Sequence, residues 1–547
     1  MAIATHTPIT TIASVDRPNA MLPHSSSKVF SRGPISWHPK RKPTAFHILV
    51  SSSAIADLQA GADLFDSIKA QSFGSWRLSL LAENREGITA LALVRHYASA
   101  DSRVSPVALS HEMLREHLQT LDEDVFVVLI DRPGRLAHTS LMHFCESIER
   151  DRKLVLLYGD ETGPVETGQA PSLIAKPAFD REMIHDGLVG GVVAASAAAA
   201  AAAYVGRPDH RTLRESLLRI MACPQEVGLT SAQIAHVPGV AFHRLVSTKR
   251  ATSETVRQRK GFQSTVTVII PTRDRADLLR MTIDGLLRKT DYPHIEVIIV
   301  DNGSVEHETL ALMSSLDPAS TRVLRRDEPF NFARLNNDAA RHAKGDILLF
   351  LNNDIEVLDP AWMHALVTAV EKPGVGAAGA LLLYPDHTIQ HAGVVLGANG
   401  AVAAHVGAHE REEWLTQTFG TGERRVSALT AACMAVPRRV FHEMGGFDER
   451  LAVAYNDVDF CLRLGAAGYR CVFTPEARLI HHESATRASD TAPENRERAF
   501  QEERLMRELW GTWLFDDPFF PQAYGLSPLE TVSDGTPRRS PILAKLT

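Results

Sequence analysis

The chain of 547 residues lacks most of the features that assign a protein at sight. Its five cysteines, Cys145, Cys223, Cys433, Cys461 and Cys471, are odd in number and form no C-x-x-C pair. That disfavours a disulfide framework or a zinc knuckle and fits a reducing compartment. No apolar run approaches the length needed to span a bilayer. The longest candidate, 192–205, is short and mostly alanine, and it reads as a soluble helix of high propensity. Charge of one sign is also scarce: a net −7 over this length gives no support for nucleic-acid binding. No G-x-G-x-x-G follows a candidate strand and no Walker A lysine loop is present, which disfavours a dinucleotide dehydrogenase and a P-loop NTPase. Without a glycine-rich amide cradle, a nucleotide bound here needs a metal to neutralise its phosphates.

What is present is an ordinary globular composition, 44% hydrophobic and 22% charged, in a chain long enough for more than one domain. Residues 1–44 are rich in Ser, Thr and Pro with excess Lys and Arg, the composition of a disordered basic tail. Residues 45–247 form a first α/β segment, with strands expected at 46–50, 76–81, 125–130 and 154–158 and a helix over 63–71. Residues 248–264 are polar and read as a linker. Residues 265–523 form a second α/β segment closing on a charged helix over 493–510, and 524–547 read as a loose tail. Strands alternating with helices predict mostly parallel central sheets flanked by helices. The second segment repeats the plan of the first at a spacing of roughly two hundred residues, which suggests a tandem duplication.

The stretch that organises the second segment is Asp346–Asp354. Five apolar residues, Ile347 to Leu351, predict a strand buried on both faces. It ends in Asn352-Asn353-Asp354, at the sheet end where open α/β folds bind ligands. A carboxylate-bearing turn there could hold a hard divalent cation against a diphosphate; by itself it reads equally as a plain Asn/Asp turn. Two further strand ends, Pro271-Thr272-Arg273-Asp274 and Asp301, are placed to converge on the same ligand.

Six blocks, V-T-V-I-I-P-T-R-D-R (266–275), I-E-V-I-I-V-D-N-G-S (295–304), N-N-D-A-A-R-H-A-K-G-D-I-L-L-F-L-N-N-D (336–354), G-G-F-D-E-R (445–450), Y-N-D-V-D-F-C-L-R (455–463) and L-I-H-H-E-S (479–484), occur in the order found in inverting GT-A glycosyltransferases of family 2. The chain resembles that family, in its tandem-domain bacterial polysaccharide or O-antigen form, and D-P-F-F-P-Q (517–522) resembles the ending of such members. The resemblance implies two tandem GT-A domains, Rossmann-like folds of nucleotide-diphospho-sugar transferases. It places Pro271, Thr272, Arg273, Asp274 and Asp301 at the nucleotide, and Asn336, Asn353 and Asp354 beside the donor. Asn352-Asn353-Asp354 stands where the family has D-x-D, so Asp354 is the stronger ligand for Mn²⁺ or Mg²⁺ and Asn352 the weaker. His481 or His482 would complete the metal site, which tilts the choice toward Mn²⁺. Asp457 would be the catalytic base; read locally, Asn456 could instead be a helix N-cap, with Asp457 and Asp459 merely favouring the positive helix end. Gly445, Gly446, Phe447 and Asp448 resemble the acceptor-side loop, with 428–434 as the neighbouring wall.

The first segment resembles the family in degenerate form. Asp131-Arg132-Pro133-Gly134 stands where a metal motif is expected, and Arg132 would repel a metal. The expectation is a domain that transfers no sugar but positions the acceptor or holds a homo-oligomer interface. The implied partners are a nucleotide-diphosphate-sugar donor and a glycan or lipid-linked glycan acceptor. The implied location is cytoplasmic, with peripheral contact at the inner face of the membrane. Two rivals stand beside this reading. A sugar nucleotidyltransferase would want a glycine-rich basic loop after its first strand, which Pro271–Asp274 is not. A non-catalytic glycan- or nucleotide-binding scaffold is the other, and Asn352 leaves it room.

Overall fold

A computed structural model describes residues 45–82, 88–163, 173–179, 184, 189–205, 212–245, 264–398, 401–482, 495–515 and 517–521. The expected tails, and the linker apart from residue 264, lie outside the described residues. The chain is mixed α/β with two large sheets flanked by helices. The first sheet comprises β1 (Ala45–Ser51), β2 (Trp76–Leu81), β3 (Val104–Leu109), β4 (Val125–Ile130), β5 (Gly134–Leu136), β6 (Leu156–Thr162), β7 (Leu173–Ile174), β8 (Val192–Ser196) and β9 (Ile234–Arg244). The second half contributes β10 (Val266–Thr272), β11 (Ile295–Asp301), β12 (Thr321–Arg325), β13 (Ile347–Leu351), β14 (Ile355–Val357), β15 (Val375–Leu383), β16 (Ile389–His391), β17 (Val394–Leu396), β18 (Ala403–His405), β19 (Arg424–Val426), β20 (Cys433–Pro437) and β21 (Arg470–His481).

The two sheets share one eight-strand path, to which the second alone, among the described residues, adds β19 on β21. The first runs β3-β2-β1-β4-β8-β6-β9-β5 and the second β12-β11-β10-β13-β20-β15-β21-β14. Counterparts therefore pair off in chain order, and the extra strand β7 on β6 corresponds to β16 on β15. Strands β17 and β18 form a separate antiparallel pair found only in the second half among the described residues. The apolar runs behave as two-sided burial demands. Along β10 and β13, Ile269, Leu348 and Phe350 enter the core on one face of the sheet. Val268, Ile270, Leu349 and Leu351 enter the core on the other.

One sequence expectation is overturned here. Residues 192–205 are not one helix: Val192–Ser196 is strand β8, and only Ala197–Val205 is helical. The strand is inserted antiparallel between β4 and β6, where backbone pairing on both sides outweighs alanine's helix preference. Strand β3 had no strong pattern because its middle residues are exposed.

Registers make the two halves comparable residue by residue. Ile130 lies opposite Val192 and Gly134 opposite Arg244 in the first sheet. Leu351 lies opposite Cys433 and Ile355 opposite His481 in the second. Asp131-Arg132-Pro133 thus occupies the place of Asn352-Asn353-Asp354, and Arg244 the place of His481.

Candidate active site at the end of strand β13

The polar residues after β13 are fixed by three different neighbours. Asn352 donates its backbone N–H to the Ala432 carbonyl at 3.0 Å. Buried Asn353 donates its side-chain amide to Thr272 Oγ1 at 2.9 Å, tying the end of β13 to the end of β10. Asp354 is buried, and its carbonyl accepts the His482 N–H at 3.0 Å, where β21 runs antiparallel to β14. That pairing brings His481 Nε2 to 3.1 Å from both Asp354 Oδ1 and the Asn352 side-chain amide nitrogen.

The other ring nitrogen of His481 decides the chemistry. Nδ1 is 2.6 Å from Gln390 Oε1, which can only accept, so in the neutral ring Nε2 is the nitrogen that carries the lone pair, within reach of the Asn352 amide and of Asp354. Asp354 Oδ1 is buried and accepts no hydrogen bond. Two electron-pair donors facing each other, with the Asn352 amide beside them, form a set suited to a cation. Turning that amide over would present its carbonyl oxygen. Among the described residues no cluster of three His, Cys, Asp or Glu occurs, so the amide is needed to make a third ligand. These residues fit a divalent metal. His482 does not join them: successive strand residues face opposite ways, and its Nε2 sits 3.1 Å from Glu356. Of the two histidines, His481 is the one the structure brings to Asp354 and Asn352.

The loop after β10 is strained and braced. Asp274 and Arg275 both adopt left-handed backbone conformations, φ 54° and 58°, which non-glycine residues hold only when their surroundings insist. Asp274 Oδ1 accepts the Val305 and Glu306 N–H groups at 2.7 and 2.9 Å, and Arg275 N–H reaches Glu306 Oε2 at 2.9 Å. The Glu306 and Val305 N–H groups hold the Asp274 carboxyl below its usual range. Pro271 is half-buried and Arg273 exposed. Asp301 is buried, with Ser304 N–H on Oδ1 at 2.8 Å and the Arg325 guanidinium on Oδ2 at 2.7 Å. These bonds hold the 304–306 loop that braces Asp274. Asn336 is fully buried on the helix Phe332–His342, its amide donated to the Phe332 carbonyl at 2.8 Å and its Oδ1 without a partner.

Asp457 lies in the first turn of the helix Asn456–Ala466. The cap is Tyr455, left-handed at φ 62°, so the local reading of Asn456 as N-cap does not hold. Asn456 is buried and donates its amide to the Leu451 and Val453 carbonyls. Asp457 Oδ2 accepts the Ala431 N–H at 2.9 Å and Oδ1 the Val458 N–H at 2.8 Å. Burial raises its pKa above the usual carboxylate range, while those two amides and nearby His405 work in the opposite direction. Asp459, two residues on, is buried in structural bonds to Arg463 (2.8 Å) and Trp510 (3.0 Å). One loop therefore links the two chemical centres: Ala432 takes Asn352, and Ala431 anchors Asp457.

The Gly-Gly-Phe-Asp loop is a glycine turn with its aromatic packed inward. Gly445 and Gly446 have φ 77° and 74°, which glycine alone adopts freely. A Cβ on Gly446 would come within 2.5 Å of Asn337 Oδ1. Phe447 is buried against Phe350, Phe441 and Phe460, and Asp448 is paired with Arg450 at 2.6 Å. Phe447 is thus a core residue, because its ring completes an aromatic cluster under β13. The loop turns the chain toward the helix that carries Asp457. Gln390, His391 and His405 escaped sequence reasoning; they sit in the segment 384–425, which has little periodicity.

Residues 267–443 match the family model described as glycosyl transferase family 2. This stretch is a family 2 glycosyl transferase domain. Among curated relatives, the domain-bearing chain is 30% identical over 518 residues to the uncharacterized protein y4gI of Sinorhizobium fredii, covering 84% of this chain and 55% of that protein. It is 33% identical over 472 residues to the O-antigen biosynthesis protein RfbC of Myxococcus xanthus, covering 78% of this chain and 36% of that one. The chain thus spans between about a third and a little over half of these relatives' length. Among solved structures, a mannosyltransferase from Pyrobaculum calidifontis in complex with GDP-Man and Mn²⁺ aligns with a TM-score of 0.32 at 19% identity, over 41% of this chain and 59% of that one. Among the described residues, no helix is long and apolar enough to cross a membrane.

Proposed function

We propose that this protein is a metal-dependent, inverting glycosyltransferase of surface polysaccharide synthesis. Its second half would move a sugar from a nucleotide-diphosphate-sugar to a glycan or lipid-linked glycan acceptor, and its first half would transfer none. The single observation that carries the reading is the meeting of Asp354, His481 and Asn352 at the end of β13, one loop away from Asp457.

Asp354 and His481, with Asn352, are the residues that would hold Mn²⁺ or Mg²⁺. Bound there, the cation supplies neutralisation of the diphosphate's charge as it departs. The Pro271–Asp274 loop, braced on 304–306, offers a rigid wall for the nucleoside, and Asn353 fixes that wall to β13. Asp457 accepts the proton of the acceptor hydroxyl as its oxygen bonds to the anomeric carbon. The bond from that carbon to the diphosphate breaks on the opposite face, so the configuration inverts. A raised pKa suits a base, because proton affinity grows with it, provided the group stays ionised at working pH. A lipid-linked acceptor would bring the protein to the inner face of the membrane as a peripheral visitor.

The test is diphosphate release from UDP-, GDP- and dTDP-sugars, with and without Mn²⁺. Release that needs metal and disappears in Asp354→Ala and Asp457→Asn is the expected result. Wild type that is indistinguishable from both variants, and inert with every donor, would mean a non-catalytic scaffold.

A further inference from the structure

The C-terminal Asp517-Pro518-Phe519-Phe520 segment has no part in the site described above, yet it is built into the fold. Asp517 is 1% exposed. Its Oδ2 accepts the Leu396 N–H at 2.9 Å, and its Oδ1 accepts the Ser427 hydroxyl at 2.7 Å and the Phe519 N–H at 2.8 Å. Phe519 lies under the Arg425 guanidinium at 4.3 Å, and Phe520 packs on Phe419. The Pro518 carbonyl accepts the Ala178 N–H at 3.1 Å, a contact from the first half.

Two partners of Asp517, Leu396 and Ser427, lead to Asp457 by short paths. Leu396 closes β17, which pairs with β18, and β18 ends at His405. His405 is 2.7 Å from His391 through their Nδ1 atoms, and it is close enough to act electrostatically on Asp457. Ser427 precedes Ala428, whose carbonyl accepts the Val394 N–H at 2.9 Å. Three residues further on, Ala431 donates to Asp457. One buried carboxylate thus pins both backbone segments that border the candidate base, and the next residue ties that anchor to the first half.

We propose that Asp517 is a positioning residue that holds the β17–β18 pair and the 427–432 loop in register around Asp457, with Ala178 bracing it from the first half. The role rests on the reading of Asp457 as the base. It acts on alignment of the acceptor hydroxyl and leaves the metal and diphosphate contacts alone. Misalignment of this kind lowers transfer far more than donor binding, since reacting groups must lie within a fraction of an ångström of their productive geometry.

The experiment compares wild type, Asp517→Asn and the milder Ser427→Ala by amide hydrogen exchange, and by transfer to acceptor against hydrolysis of the donor by water. Asp517→Asn puts an N–H₂ where N–H donors converge and removes charge near the buried Arg424; Ser427→Ala deletes one bond and keeps the carboxylate. Expected are faster exchange in 394–405 and 427–432 with 266–301 unchanged, and a transfer rate about tenfold lower in Asp517→Asn with hydrolysis within about twofold. Ser427→Ala should show the same pattern at about threefold. Unchanged exchange in both segments, or equal loss of transfer and hydrolysis, overturns the positioning role alone. A wild type that releases no diphosphate from any donor overturns the transferase reading and this role with it.

Discussion

At the end of β13 the chain places Asn352-Asn353-Asp354 against His481; at the end of β4, the same place in the other sheet, it places Asp131-Arg132-Pro133 against Arg244. The strand order is shared, so the backbone could serve either purpose. The side chains differ. Arg244 turns onto the buried Glu161, which also takes Lys176 at 3.4 Å and the Gly191 N–H. Burial pushes the Glu161 carboxyl up, but Lys176, Arg244 and the amide outweigh it and hold it low. Asp160 is likewise consumed by His236 at 2.8 Å, the Lys176 N–H at 2.7 Å and the Gly239 N–H at 3.1 Å. Fixed cations stand in this network, and both Glu161 and Asp160 already have their partners. In the second half, the Asp354 Oδ1 is left without a hydrogen bond, 3.1 Å from His481 Nε2. The lesson is that a ligand site is recognised by what is left unsatisfied at a strand end, more than by the fold that carries it.

The comparison can be broken at several points. The largest effect is expected from Asp457→Asn, about a thousandfold in transfer rate, in keeping with loss of a general base. The wild-type rate should fall as pH drops through the raised pKa of Asp457, and the variant should lack that limb. Stability should move the other way. A carboxyl whose folded pKa is raised contributes stability below its unfolded pKa and loses it as pH rises through the folded value. Thermal melts from pH 4 to 8 should therefore show wild type losing ground to Asp457→Asn with rising pH.

His481→Arg gives the second half the residue that the first half carries. Mn²⁺-dependent donor binding, read by thermal shift, should weaken by about a hundredfold or more. Gln390→Leu, which removes only the partner of His481 Nδ1, should cost about tenfold in metal affinity, the usual scale for a group that orients a ligand. The smallest effect on transfer belongs to Glu161→Gln in the first half. It should lower unfolding free energy by about 3 kcal/mol, because it strands buried Lys176 and Arg244 without their carboxylate, yet leave transfer per folded molecule unchanged.

Much of this architecture could be read from residues alone. The buried strand Ile347–Leu351, its polar end, and the paired α/β segments follow from unbroken apolar runs and turn residues. The helix bearing Asp457 was legible from its acidic first turn. What stayed hidden depends on long-range pairing. Nothing local distinguishes His481 from His482; only the register of β21 on β14 does so. Gln390, His391 and His405 lie on strands of three residues, too short for periodicity to declare. The partners that bury Phe447 are set by the turn folding under β13, which no local pattern declares. The alanine run misled for a related reason: partners on both sides made its first residues a strand.

The most direct test is the stoichiometry of Mn²⁺ binding in the presence of UDP or GDP, followed by electron paramagnetic resonance. The account predicts one bound ion per chain, lost in Asp354→Ala and His481→Arg and retained in Glu161→Gln. Two ions per chain, or one that survives both second-half substitutions, would contradict it.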